Sequence, residues 1–130
     1  MPDPRHRLGS AAEALVARWL GECGWQILAR RWRVAEGELD LVALAPDGVL
    51  VGIEVRARRS RRTGHPAETV GPRRVARLRT ALARYRAARP LPGVPSRIDL
   101  VTVEPAVSAS AGEPDAEVWR LSRLPGIDGP

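Results

Sequence analysis

The chain has 130 residues, 44% hydrophobic and 28% charged, with Gly 12 and Pro 12; this suits one folded domain and excludes a collagen-like or wholly disordered chain. Lys+Arg is 21 against Asp+Glu 15, a net charge of +6, and every one of those cations is Arg. Such a basic domain points to an anionic partner, nucleic acid before a membrane surface, and leaves no lysine amine for any catalytic role. Residues 1–8 are rich in Pro and Arg, carry no apolar signal core and read as a loose N-terminus to a single domain over 9–122. Ala11–Cys23 reads as a helix, with Ala12, Leu15, Val16, Trp19 and Leu20 on one face. Ser10 and Glu13 have the capping-box spacing, and Gly24 is a natural stop. Cys23 is the only cysteine; it excludes an intrachain disulfide and is expected to be a small, buried or semi-buried residue.

Trp25–Val34, Glu38–Ala45 and Val49–Val55 read as three strands. Pro46-Asp47-Gly48 turns the second into the third as a hairpin. Within the second, Leu39 and Leu41 are expected on one face, with Glu38, Asp40 and Val42 on the other. Arg56–His65 is a basic loop. Pro72 opens a second helix, striped by Val75, Leu78, Leu82, Tyr85 and Ala88 and stopped by Pro90. Arg97–Val103 is a further strand, 104–114 a flexible loop, Glu117–Leu121 a short closing strand and 123–130 a tail. No segment approaches the roughly 18 apolar residues of a membrane span. Together with the cysteine usage, this predicts a cytoplasmic protein with no membrane partner. Helix, three strands, helix, strand, strand is the order of an α/β or α+β layer fold.

A carboxylate sits inside each strand of the central hairpin, Asp40 between Leu39 and Leu41 and Glu54 between Ile53 and Val55. A charge among apolar residues is costly unless paired, hydrogen-bonded or metal-bound. With a three-residue turn, Ala45 pairs with Val49, and the same register sets Asp40 opposite Glu54, their Cβ atoms about 4.5–5.5 Å apart; a bulge at the glycine would shift the pairing by one residue. Two like charges so placed repel, and a divalent cation between them reverses the sign. Carboxylate oxygens suit Mg²⁺, which takes one or two of them and keeps several waters. Arg56, two residues after Glu54, shares its face and could hold a phosphate beside the metal. Glu13 could add an acid if the first helix packs over the hairpin; otherwise it is a cap or a surface charge. The alternative for the pair is a solvent-facing strand surface with Glu54 paired to Arg56 or Arg58.

Arg56, Arg58, Arg59, Arg61 and Arg62 follow the acidic pair directly, and Arg73 and Arg74 open a second basic set on the second helix. Both could neutralise nucleic-acid phosphates, or form a solvated surface. His6 and His65 have no metal-ligand spacing, the Trp residues are expected in the core, and Asp99 reads as a structural charge paired with a nearby Arg.

The strings AAEALVARWL, GELDLVAL, VGIEVRARRSRRTG, GPRRVARLRTAL and RIDLVTV, in this order from about Gly9 to Val103, resemble the YraN-like family of bacterial proteins, with Trp119 a weaker echo. That family is described as predicted endonucleases related to archaeal Holliday junction resolvases, within the PD-(D/E)xK nuclease superfamily. The resemblance implies a restriction-endonuclease-like core, a central mixed β-sheet flanked by helices. It implies Asp40, Glu54 and Glu13 as ligands of Mg²⁺ or Mn²⁺, Arg56 as the fourth member of the catalytic set, and Glu38 behind them. It implies DNA as partner, with branched DNA and a homodimer in keeping with the resolvases. Leu39 replaces the superfamily's proline, which a strand accepts. Arg56 replaces its lysine, and a rigid, permanently charged fork does not substitute for an ammonium that can shift its pKa. Two readings follow: a Mg²⁺-dependent endonuclease hydrolysing DNA phosphodiesters, or a non-catalytic nucleic-acid-binding module that keeps the fold. A third class, a basic scaffold for a partner protein, would leave every nucleic-acid assay insensitive to salt.

Overall fold

The strands Val49–Val55 and Arg97–Val103 are near-continuous apolar runs, the pattern of strands covered on both faces. In the structure, a computed structural model describing residues 4–57, 70–90, 93–106 and 118–129, they are central. The elements are α1 (Pro4–Glu22), β1 (Gln26–Val34), β2 (Gly37–Leu44), β3 (Leu50–Ala57), α2 (Pro72–Ala87), β4 (Ser96–Pro105) and β5 (Trp119–Leu124). The strands form one sheet in the order β1-β2-β3-β4-β5. Neighbours are antiparallel except β3 and β4, which run parallel, as the return through α2 requires.

Each face of the sheet has its own helix. Val16 and Leu20 of α1 pack on Leu41, Val51, Ile53 and Val101. Leu78, Leu82 and Tyr85 of α2 pack on Leu39, Val42, Leu50 and Leu100. This is a central mixed sheet flanked by two helices, consistent with a restriction-endonuclease-like core. Burying one such aliphatic side chain is worth about 1.5–3 kcal/mol, so the two helical stripes fix which strand residues can face outward.

The hairpin is as its turn residues predict. The Gly48 N–H donates to the Ala45 carbonyl at 2.8 Å and the Ala45 N–H to the Val49 carbonyl at 2.9 Å, with Gly48 at φ 88°. Pairing then runs from Leu44↔Leu50 to Leu41↔Ile53.

Several expectations are corrected. α1 begins at Pro4 and takes in five of the eight residues read as a loose N-terminus, since proline's fixed φ suits a first helical turn. Ser10 is therefore inside the helix and is no cap; its hydroxyl accepts from Arg31. Cys23 is exposed, because it lies past the last helical turn, in the reversal closed by Gly24 at φ 88°. Ala88 is exposed beyond the end of α2, while Ala81 is buried. The chain after 122 is not a free tail: β5 runs to Leu124. The Ile127 N–H then donates to the Ile98 carbonyl, and Asp128 Oδ1 accepts from the Ile98 N–H, both at 2.9 Å. Loop 104–114 lies outside the described residues after Ala106. Among the described residues, no helix is long and apolar enough to cross a membrane.

Candidate metal and nucleic-acid site

A strand alternates its side chains between faces, yet Leu39 and Leu41 pack on opposite sides, Leu39 under α2 and Leu41 under α1. The expectation that they share a face is overturned, and the break falls at Asp40. The partner strand breaks at the same level. Arg31 lies between the pairs Arg30↔Leu41 and Trp32↔Leu39, and its backbone is left-handed at φ 54°, a conformation that disfavours a side-chain-bearing residue by about 1–2 kcal/mol. Trp32, one residue on, faces α2: its indole N–H donates to the Ala81 carbonyl at 3.1 Å and its ring meets Tyr85 edge-on at 5.2 Å. The β1–β2 ribbon thus rolls at Arg31 and Asp40, driven by the packing of Trp32 and Leu39 under α2.

Beyond Leu41↔Ile53, β2 leaves β3. Continued register would turn the Val55 N–H toward Leu39. Instead that N–H donates to Asp40 Oδ2 at 2.8 Å, so the carboxylate replaces a main-chain acceptor where the strands part. Glu54 is near enough to share a hydrogen bond with it, although the ladder ends before the Asp40–Glu54 pair that the turn register predicts; it is 3% exposed. Burial first, then the charge of Glu54 and a hydrogen bond shared with it, push the Asp40 carboxyl up to about 8; the Val55 N–H works the other way, and Glu13 adds a smaller upward push.

Arginines surround the pair. Arg74, from the first turn of α2, donates Nε to Glu54 Oε2 at 2.9 Å and Nη2 to Oε1 at 3.2 Å, and that hydrogen bond holds its guanidinium above the ordinary range. Arg56 Nε lies 3.9 Å from Glu54 Oε1; it is buried and has no hydrogen-bond partner among the described residues. On the α1 side, Arg31 Nε donates to Glu13 Oε2 at 2.9 Å, which raises the Arg31 guanidinium.

The donor set fits a hard divalent cation. Two carboxyls share a buried position, the Asp40 carboxyl pushed up to about 8 by burial first and by the neighbouring Glu54 second, and a cation there would stabilise both ionised forms. Two carboxylates with waters are a common Mg²⁺ set. The fit has a limit: among the described residues no group of three or more His, Cys, Asp or Glu could hold a metal. Glu13 is close enough to act on Asp40, but its carboxylate is engaged by Arg31. Glu38 is paired with Arg33 at 2.8 Å and acts on Arg31 and Arg74 only through its charge.

The structure therefore brings together Asp40, Glu54, Arg56 and Arg74, with Glu13 behind Arg31. Arg74, grouped in the sequence with the basic set for nucleic acid, reaches Glu54 with its guanidinium while remaining, like Arg73, an exposed residue. Arg58, Arg59, Arg61, Arg62 and His65 lie outside the described residues. Arg31 was not singled out in the sequence; its one sequence signal is a position that faces Asp40 across β1 and β2, visible only once both strands are paired. Asp99 is the structural charge expected of it. It is buried, accepting from Arg97 Nε at 2.9 Å, Arg123 Nη1 at 3.1 Å and the Gly126 N–H at 3.0 Å.

Residues 12–103 match the uncharacterised protein family UPF0102. The chain belongs to this family. A UPF0102 protein of Roseiflexus castenholzii is 43% identical over 110 residues, 84% of this chain and 88% of its own. The UPF0102 protein of Deinococcus radiodurans is 36% identical over 130 residues, covering 97% of this chain and 100% of its own. That of Leifsonia xyli is 35% identical over 124 residues, 95% and 97% of the two chains. The UPF0102 match spans α1 to β4 and so includes every residue of the acidic site.

Proposed function

We propose that this UPF0102 protein binds nucleic acid and acts as an endonuclease that hydrolyses DNA phosphodiesters with Mg²⁺, Mn²⁺ being an alternative ion and branched DNA a candidate substrate. The observation that carries the reading is the Asp40–Glu54 pair at the point where β2 parts from β3, with Arg56 Nε 3.9 Å from Glu54 and without a hydrogen bond among the described residues. Asp40 and Glu54 would hold the ion through their carboxylate oxygens. Bound there, it supplies Lewis-acid chemistry, activating water and neutralising charge on the scissile phosphate. Arg56 grips a phosphate oxygen and opposes the charge that grows in the transition state. Its guanidinium keeps its proton throughout, so Arg56 positions and neutralises but does not act as a base. Arg31 of β1 and Glu13 of α1, joined by their ion pair, brace the site. The exposed arginines of α2 and the Arg58–Arg62 run contribute sequence-independent phosphate contacts.

A second reading, nucleic-acid binding without cleavage, is favoured by two features: Arg56 stands where the resemblance expects a lysine, and Arg74 already neutralises Glu54. One experiment separates them. The wild type and Asp40→Asn are incubated with linear, flapped and four-way DNA in the presence of Mg²⁺ or Mn²⁺. The nuclease reading expects cleavage that needs the metal and falls at least about 100-fold in Asp40→Asn, the scale of losing one electrostatic contributor to the transition state. Binding without metal-dependent cleavage supports the second reading, and the absence of both overturns the two together.

A further inference from the structure

We propose that Arg74 is a built-in counter-cation that holds Glu54 until a divalent ion displaces it, and that metal binding thereby frees this arginine for the phosphate. The inference rests on the metal reading of Asp40 and Glu54 and adds a residue to it.

The geometry shows what must move. The Arg74 fork takes both oxygens of Glu54, at 2.9 and 3.2 Å, so an ion that binds the same carboxylate meets a positive charge already in contact with it. Of the two partners, Arg74 is the one able to leave. The Glu54 side chain is 3% exposed and that of Arg74 45%, so the arginine can swing into water at small cost, while the acid stays buried. A buried carboxylate left with neither partner is strongly disfavoured, which makes the exchange of one cation for the other concerted.

Its position on the helix gives the release a direction. Arg73 and Arg74 stand in the first turn of α2, just after Pro72, with no acidic residue there. The positive end of the helix dipole repels cations in that turn. Glu54 offsets this for Arg74 as long as the ion pair lasts. Once a divalent ion takes Glu54, Arg74 sits beside the helix terminus with its contact anion gone and only the more distant charges of Asp40 and Glu38 acting on it. A phosphodiester supplies that anion. Metal and phosphate should therefore bind cooperatively, each favouring the same released state of Arg74.

Binding of Mn²⁺ to the full chain, followed by calorimetry or by the loss of its free-ion electron paramagnetic resonance signal, tests this without any activity readout. The wild type is expected to bind Mn²⁺, and Arg74→Ala to bind it about tenfold more tightly, the scale of removing one half-buried charge–charge repulsion. Arg74→Lys, which keeps the charge but loses the fork and folds if Arg74→Ala does not, is expected in between. Asp40→Asn is expected to abolish binding in either background. A short phosphodiester oligonucleotide should tighten Mn²⁺ binding to the wild type and not to Arg74→Ala. If the wild type binds Mn²⁺ through Asp40 and both Arg74 variants bind equally or more weakly, the counter-cation role is overturned and the metal reading stands. If neither the wild type nor the variants bind Mn²⁺, the metal reading falls and the role of Arg74 falls with it.

Discussion

Asp40 is the residue on which most of the site's behaviour turns. Its ordinary value is 3.8, and burial together with the adjacent Glu54 moves it to about 8. Between those limits the folded protein keeps a proton that the unfolded chain has released. Stability contributed by the protonated group is therefore fully present below about pH 4 and is lost as pH rises through about 8. Urea unfolding should show the wild type less stable at about pH 8 than at about pH 5, with the difference largely removed in Asp40→Asn, which has no proton to lose. Mg²⁺ should restore stability to the wild type at the higher pH and leave Asp40→Asn unchanged. A pH dependence equal in the two proteins would mean that Asp40 is not the titrating group. That an acid here would be unusual could be read from its apolar neighbours, Leu39 and Leu41. That its carboxylate would reach the Val55 N–H could not, because the reach depends on β2 leaving β3 one residue earlier.

At the level of elements, the site exists because β2 and β3 stay in close contact up to Leu41↔Ile53 and then part. Gly52 sets the tightness of that contact. A Cβ there would lie 2.9 Å from Leu39 Cδ2 and 3.0 Å from Ile98 Cδ1, and both neighbours are fully buried under α2. Gly52→Val should thus destabilise the fold by about 1–3 kcal/mol through overpacking. Gly21→Ala in α1 is the control: its Cβ would meet nothing within 4 Å, and it should stabilise by up to about 1 kcal/mol through helix propensity. Thermal or urea unfolding of the two variants checks both signs. The hairpin register was legible from Pro46-Asp47-Gly48 read as a three-residue turn, and the alternative of a bulge at the glycine, shifting the pairing by one residue, is not what forms. The extra length of α1 was not: Pro4 reads as a chain breaker or as a helix opener with equal ease, and packing of the following turns decides between them.

The whole molecule carries +6 with arginine as its only cation besides histidine, and the described acids that face the site are already paired inward. Binding to DNA should therefore be dominated by counterion release. Its affinity is expected to fall linearly on a log–log plot against salt, with a slope of about −0.9 per phosphate neutralised. Replacing Arg58, Arg59 and Arg61 by Gln should flatten the slope by about 2–3; an unchanged slope would remove that run from the interface. By itself the sequence determined the element order, the two apolar helical stripes, the hairpin register and the presence of two acids on facing strands. Each of these follows from local chemistry: side-chain periodicity, turn residues and the cost of a charge among apolar neighbours. Only the tertiary structure decided that Leu39 and Leu41 turn to opposite faces, that Arg31 takes a left-handed backbone beside Asp40, and that the half-exposed Arg74 side chain pairs with Glu54. Those outcomes depend on which helix covers which face of the sheet, a competition between packed surfaces far apart in the chain, and no local pattern encodes its result.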